Sequence, residues 1–230
     1  MTELLFQENS YLRQAKARVI AIANGAIVLD RTIFVPAMPL QPNDLGKCFW
    51  HGYSGRLLAV EWQDGLVLHK LAGPLPAIGQ YVRLKLNWRR RYDIMRLRTA
   101  AYLAAGILAR DFAIRSRLTH FTDEQARLGL ASFDVGTLRH LEDVCRAGVA
   151  AGAGISQGDG TAVWDETILT LATVRAQYPF SERLVEITGV GRFRDRGLFV
   201  KDITEIGWFD FQRTGKTSVA IRLSRLENQS

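Results

Sequence analysis

Two Asx-Gly dipeptides, Asn24-Gly25 and Asp64-Gly65, constrain the first part of this chain more than any other feature. Each stands between runs rich in β-branched and aliphatic residues, "AKARVIAIANGAIVLDRTIF" and "GRLLAVEWQDGLVLHKLAG". A two-residue hairpin turn needs positive φ at both central positions, which Asn, Asp and Gly tolerate best. A third run, "QYVRLKLNW", alternates apolar Val82, Leu84 and Leu86 with charged Arg83 and Lys85, as a strand with one buried face requires. The pattern predicts a small antiparallel β-barrel over residues 1–88, with the proline-rich "VPAMPLQPND" as a loop.

Near residue 88 the period changes. "RRRYDIMRLRTAAYLAAGILARDF" carries Ile94, Leu97, Ala101 and Leu108 at helical spacing. "DVGTLRHLEDVCRAGVAAG" predicts a second helix capped by Asp134 and ended by Gly152, with Leu138, Leu141 and Cys145 on one face. "GAGISQGDG" reads as a connector, 164–176 as a short helix, and "RLVEITGV", "GLFV" and "GWFDFQRTGKTSVAIRLS" as strands, the last a hairpin. Residues 89–230 therefore read as an α+β domain with an antiparallel sheet.

The net charge of +7 favours polyanionic partners such as RNA. Cys48 and Cys145 do not form a disulfide framework, which points to a reducing, cytoplasmic setting. No signal peptide and no membrane span is expected, because the apolar run "TAAYLAAGILA" is too short. "TGKTS" has Asp210 where a phosphate loop needs glycine, and "GAGISQG" lacks the spacing of a dinucleotide fingerprint. Cys48, His51 and His69 are too few for a convincing zinc site, and no nucleophilic triad emerges from spacing.

Three segments in order carry a resemblance: "LDRTIFVPAMPLQPNDLG" at 29–46, "RRRYDIMRLRTAAYLAAGIL" at 89–108 and "ITGVGRFRDRGLFVKDITEIG" at 187–207. They resemble the alanyl-tRNA editing proteins, freestanding relatives of the alanyl-tRNA synthetase editing domain. The resemblance implies a β-barrel joined to an α+β editing domain that hydrolyses misacylated tRNA at a zinc centre. Thr32, Gln41, Gly197, Val200, Glu205 and Gly207 keep the pattern. The four metal-ligand positions do not: the two histidines four apart become Arg98 and Tyr102, and the cysteine and histidine become Asp195 and Phe199. The glycine-rich loop is replaced by Ala37, Met38, Pro39 and Leu40.

The resemblance thus implies a member lacking the zinc ligands, with no metal and no cofactor expected. In the ion's place we expect either an Arg98–Asp195 pair, with bidentate hydrogen bonds, beside a Tyr102–Phe199 aromatic contact, or a decayed site in which the four side chains merely fill the gap. Candidate catalytic residues are His120 and Thr32. Candidate RNA contacts are Arg89, Arg90 and Arg91, with Trp88 and Tyr92 as stacking surfaces, and Arg192 and Arg194. The expected partner is tRNA or aminoacyl-tRNA, and open sheet edges would permit a homodimer. Three functions follow: a zinc-independent deacylase or aminoacyl transferase, a non-catalytic tRNA- or protein-binding relative, or a small-molecule enzyme in the vacated pocket.

Overall fold

A computed structural model describes residues 1–159, 168–169 and 182–224. The chain divides into two compact units, Met1–Arg91 and Tyr92–Ser230.

In the first unit, short strand β1 (Glu3–Leu4) and one helical turn α1 (Leu5–Glu8) precede β2 (Gln14–Ala23), β3 (Ala26–Leu29) and β4 (Arg31–Thr32). After a loop come β5 (Gly46–Trp50), β6 (Tyr53–Gln63), β7 (Leu66–Leu71) and β8 (Tyr81–Leu86). Six of these close a barrel in the order β2-β3-β7-β6-β5-β8. Asn24 and Gly25 have φ of 50° and 70°, and Asp64 and Gly65 have 51° and 79°, so both hairpins turn where the sequence indicates. Strand alternation sends Val82, Leu84 and Leu86 inward to meet Val19, Leu29, Phe34, Leu57 and Val60. The exposed face of β8 carries Arg83 and Lys85.

The loop after β4 keeps a glycine-type backbone without the glycine. Met38 and Gln41 exchange both backbone hydrogen bonds at 2.9 Å across Pro39-Leu40, and Leu40 is held at φ 58°. That value suits the third position of a type II turn, where glycine is usual.

Helix α2 (Trp88–Phe112) begins in the first unit and continues into the second. From Met95 to Leu108 it is buried nearly all round, including Leu97, Ala100, Leu103, Ala104 and Ile107. Such a helix is a core element, without the polar face of a surface helix. The second unit continues with β9 (Ser116–Phe121), β10 (Ala126–Leu130) and α3 (Val135–Ala151). Asp134 caps α3 by accepting from the Thr137 N–H at 2.7 Å, and Gly152 ends it at φ 78°. Leu141 and Cys145 form its buried face.

Next come β11 (Ile155–Asp159), β12 (Ile168–Leu169), β13 (Arg183–Ile187), β14 (Gly191–Asp195), a 3-10 turn (Ile203–Ile206), β15 (Phe209–Arg213) and β16 (Ser218–Leu223). Among the described residues these form two four-stranded sheets, β15-β16-β10-β9 and β11-β13-β14-β12. The architecture is α+β. Two local expectations are corrected. "GAGISQGDG" is not merely a connector, because Ile155–Asp159 pairs antiparallel with β13. "GLFV" is buried but forms no strand, its backbone leaving the sheet after Asp195. The helix expected over 164–176 lies mostly outside the described residues, and Ile168–Leu169 within it pairs parallel with β14. No described helix is long and apolar enough to cross a membrane.

Candidate functional site

The four replaced positions converge in the second unit. On α2, Arg98 and Tyr102 stand four apart and share a face. Asp195 ends β14, and Phe199 follows it in the buried extended segment. Arg98 Nη1 donates to Asp195 Oδ1 at 2.8 Å and to Oδ2 at 2.9 Å. The Tyr102 hydroxyl also donates to Oδ2. The Gly197 N–H donates to Oδ1, so one carboxylate collects a guanidinium, a phenol and a backbone amide. One guanidinium nitrogen, Arg98 Nη1, bonds both carboxylate oxygens, and the phenol adds a further donor to Oδ2.

Rings close the cluster. Tyr102 meets Phe199 edge to face with centroids 5.0 Å apart, and Phe193 at 5.1 Å. Arg98 Cζ lies 4.7 Å from the centre of the Phe121 ring. Arg98, Tyr102, Asp195 and Phe199 are all buried, none more than 5% exposed. Burial, followed by the Asp195 charge, pushes the Tyr102 phenol well above its ordinary pKa, so it remains a proton donor. Next to them, Thr99 Oγ1 donates to the Met95 carbonyl at 2.9 Å and accepts from the Val200 N–H at 3.3 Å, tying α2 to the Phe199 segment.

A zinc ion does not fit these residues. The one carboxylate is already bonded to a permanently charged guanidinium, and a phenol and a phenyl ring fill the remaining positions. A second cation, Arg183, sits directly across the ladder from Asp195 and donates from Nη2 to the Gly197 carbonyl at 3.2 Å. Among the described residues, no group of three or more His, Cys, Asp or Glu is placed to hold a metal.

Sequence reading did not single out Arg183. A signal existed: a turn centred near Gly189 places Arg183 opposite Asp195 in the hairpin register. In the sequence Glu205 stands out only as a retained position. It forms a capping box with Asp202, and it accepts from the Tyr92 hydroxyl at 2.9 Å. Arg96 donates to the carbonyls of Glu205 and Ile206 at 3.1 and 2.8 Å.

The other candidates do not join the cluster. His120 is exposed at a β-bulge, and its neighbour Phe121 is the residue that turns inward to Arg98. Thr32 belongs to the first unit, fully buried, with its hydroxyl 2.8 Å from His69 Nε2. His69 Nδ1 lies 3.2 Å from the Ile27 carbonyl, which can only accept, so Nδ1 carries the proton and Thr32 donates to Nε2. Burial lowers the His69 pKa to about 4, leaving a neutral imidazole in the barrel.

The arginine run divides. Arg89 is exposed, and Arg90 is half-buried with Nε and Nη2 each 3.4 Å from the Asn43 carbonyl. Arg91 is no surface residue: it is 1% exposed, pairs with Asp44, and donates to the carbonyls of Ser10 and Ile33 at 2.9 and 2.7 Å. A phosphate contact would strip it of a buried carboxylate, so it is corrected to an internal cross-link of the first unit. Trp88 is likewise packed, with Arg13 Cζ 4.3 Å from its ring centre and Tyr11 at 5.4 Å. Arg192 and Arg194 share one face of β14, opposite Phe193 and Asp195, and are half-buried.

No protein-family model matches the chain. Alanyl-tRNA editing protein AlaX-M of Saccharolobus solfataricus is 30% identical over 219 residues, covering 90% of both chains. The chain belongs to the alanyl-tRNA editing protein family. AlaX-M of Pyrococcus horikoshii is 38% identical over 109 residues, 47% of this chain and 49% of that protein. The alanine–tRNA ligase of Korarchaeum cryptofilum is 36% identical over 102 residues, so this alanyl-tRNA editing family member spans only 11% of that ligase. Family membership ties the chain to tRNA-related editing at the level of the family, and the rebuilt Arg98–Tyr102–Asp195–Phe199 cluster is where it departs from the pattern.

Proposed function

We propose that this protein recognises aminoacyl-tRNA and handles the ester without zinc, as a deacylase or as a transferase passing the aminoacyl group to another acceptor. One observation carries the reading: a chain similar to AlaX-M over nine-tenths of its length has rebuilt its metal positions as an Arg98–Asp195–Tyr102 network under two phenyl rings. Similarity over that length supports a retained frame for an aminoacyl-tRNA, while the residues at the metal positions no longer supply a zinc donor set. An aminoacyl ester is already activated, so its transfer requires mainly an oriented nucleophile and donors for the developing oxyanion. Arg89, Arg192 and Arg194 are the proposed RNA contacts among the sequence candidates, and the barrel (1–88) and editing-like part (89–230) the proposed domains.

A second reading, binding without catalysis, draws support from the enclosure of Asp195 and the outward face of His120. The small-molecule reading loses its anchor, because Arg98 is neutralised by Asp195. The test is incubation of purified, chelator-treated protein with seryl-, glycyl- and alanyl-tRNA, following both ester loss and transfer to added amine acceptors. Turnover supports the first reading. Salt-sensitive tRNA binding without turnover supports the second. Absence of both binding and turnover overturns them together.

A further inference from the structure

The barrel of the first unit carries three like charges in a row. Lys47 on β5 stands directly opposite Lys85 on β8 and directly opposite Arg56 on β6. All three are exposed, on the outside of a barrel whose interior takes Cys48, Leu57 and Leu84. Directly opposed side chains in an antiparallel pair have Cβ atoms only about 5 Å apart, and like charges so placed destabilise the sheet. Neighbouring strands are about 4.8 Å apart, so the rung is roughly 10 Å wide. The next rung repeats the theme: Lys16 on β2 faces Arg83 on β8, and Arg83 faces Phe49 on β5, with its Cζ 4.9 Å from the ring centre. Beyond it, Arg18 faces the exposed Tyr81.

Among the described residues, none of Lys16, Lys47, Arg56, Arg83 and Lys85 has a carboxylate within 4.0 Å, although ion pairs elsewhere in the unit link Lys70 to Glu61 and Arg31 to Glu3. Lys47, Arg56 and Lys85, together with Phe49, Leu58 and Leu86, also line a cavity of about 570 Å³. Cations around an aromatic and aliphatic hollow combine charge for a phosphate backbone with a ring on which a base can stack. An anionic membrane surface would use the charges but has no use for a hollow of this size beside an aromatic ring.

We propose that this outer face of the barrel, centred on the Lys85–Lys47–Arg56 rung and the Phe49 hollow, is an RNA-binding surface that takes a phosphodiester backbone on the cations and a base against Phe49. It rests on the aminoacyl-tRNA reading only for the identity of the RNA. Opposed like charges would then be a standing cost to the barrel, relieved when phosphates neutralise them and release counterions.

The experiment compares the full chain with the triple variant Lys47→Gln/Arg56→Gln/Lys85→Gln, and with a control that removes equal charge from exposed Arg115, Arg117 and Arg139. Binding of uncharged tRNA, a uridine homopolymer and vesicles of acidic phospholipid is measured across salt concentrations, with melting temperature at low salt. The triple variant is expected to lose at least about tenfold in RNA affinity and to flatten the log–log salt slope by about 2, since each phosphate contact contributes 0.7–0.9. Its melting temperature is expected to rise at low salt, and the control is expected to keep the wild-type slope. Wild-type RNA affinity in the triple variant overturns the surface while leaving the tRNA reading intact. Equal affinity for tRNA and homopolymer, both lost in the triple variant, supports the surface and removes its link to tRNA. Binding of the vesicles but no RNA, or of nothing at all, overturns the proposal.

Discussion

Gly197 lies against the side chain of Arg98 so closely that a Cβ on the glycine would stand 2.3 Å from Nε and 2.5 Å from Cζ. The guanidinium that replaced a metal ligand occupies space which only a glycine at 197 leaves open. Gly197→Ala must therefore displace Arg98 from Asp195. We expect a loss of about 1–3 kcal/mol, the usual cost of an extra carbon in a filled core. The same substitution in an Arg98→Ala background should cost far less, and chemical denaturation of the double-mutant cycle measures that coupling.

Asp195→Ala removes the carboxylate that accepts from Arg98, Tyr102 and the Gly197 amide. Breaking one side of a buried ion pair costs about 3–5 kcal/mol, and urea unfolding of the variant should show a loss of that size. Removing both charges with Arg98→Met/Asp195→Leu should recover only part of it, because the ion pair's desolvation penalty goes while the Tyr102 hydroxyl and the Gly197 N–H still lose their acceptor. Melting curves that leave the double variant as unstable as Asp195→Ala would count against the pair as the seat of the effect.

His69 gives the barrel a pH dependence. Its folded pKa, near 4, lies below the ordinary 6.5, so the unfolded chain binds the proton first as pH falls. Stability from this group is complete above about pH 6.5 and declines toward pH 4, by about 3 kcal/mol at one pKa unit per 1.36 kcal/mol. His69→Asn should flatten the denaturation midpoint between those pH values, and an unchanged slope in that variant would show that another group is responsible.

If the frame of the family's metal centre persists, its ligands can be put back. Arg98→His/Tyr102→His/Asp195→Cys/Phe199→His should bind one zinc per chain, as three imidazoles and a thiolate suit the ion. Cobalt substitution would report a tetrahedral thiolate site by its visible absorption. Absence of binding by a folded quadruple variant would mean that the backbone at Asp195–Phe199 has moved out of reach of α2.

Much of the barrel was legible because its signals are local. Asn24-Gly25 and Asp64-Gly65 permit few other turns, and the alternation of Val82, Leu84 and Leu86 fixes which face of β8 is buried. The capping of α3 by Asp134 was legible for the same reason. Residues set by tertiary context were harder. Arg91 follows two polar neighbours of the same type and looks like surface, yet Asp44, 47 positions earlier, draws it inside. "GLFV" has strand composition, but the Asp195 carboxylate binds the Gly197 amide and turns the chain out of the ladder. Arg183 became visible only through hairpin register. Side-chain identity told that the metal positions had changed; how one carboxylate could serve Arg98, Tyr102 and Gly197 together required coordinates.

A guanidinium–carboxylate–phenol network under two rings holds the site that zinc organises elsewhere in the family. Elemental analysis of the purified full chain, paired with melting before and after chelation, tests it most directly. Far less than one zinc per chain is expected, with a melting temperature that chelation does not shift. One zinc per chain, lost on chelation together with stability and abolished by Asp195→Ala, would contradict it.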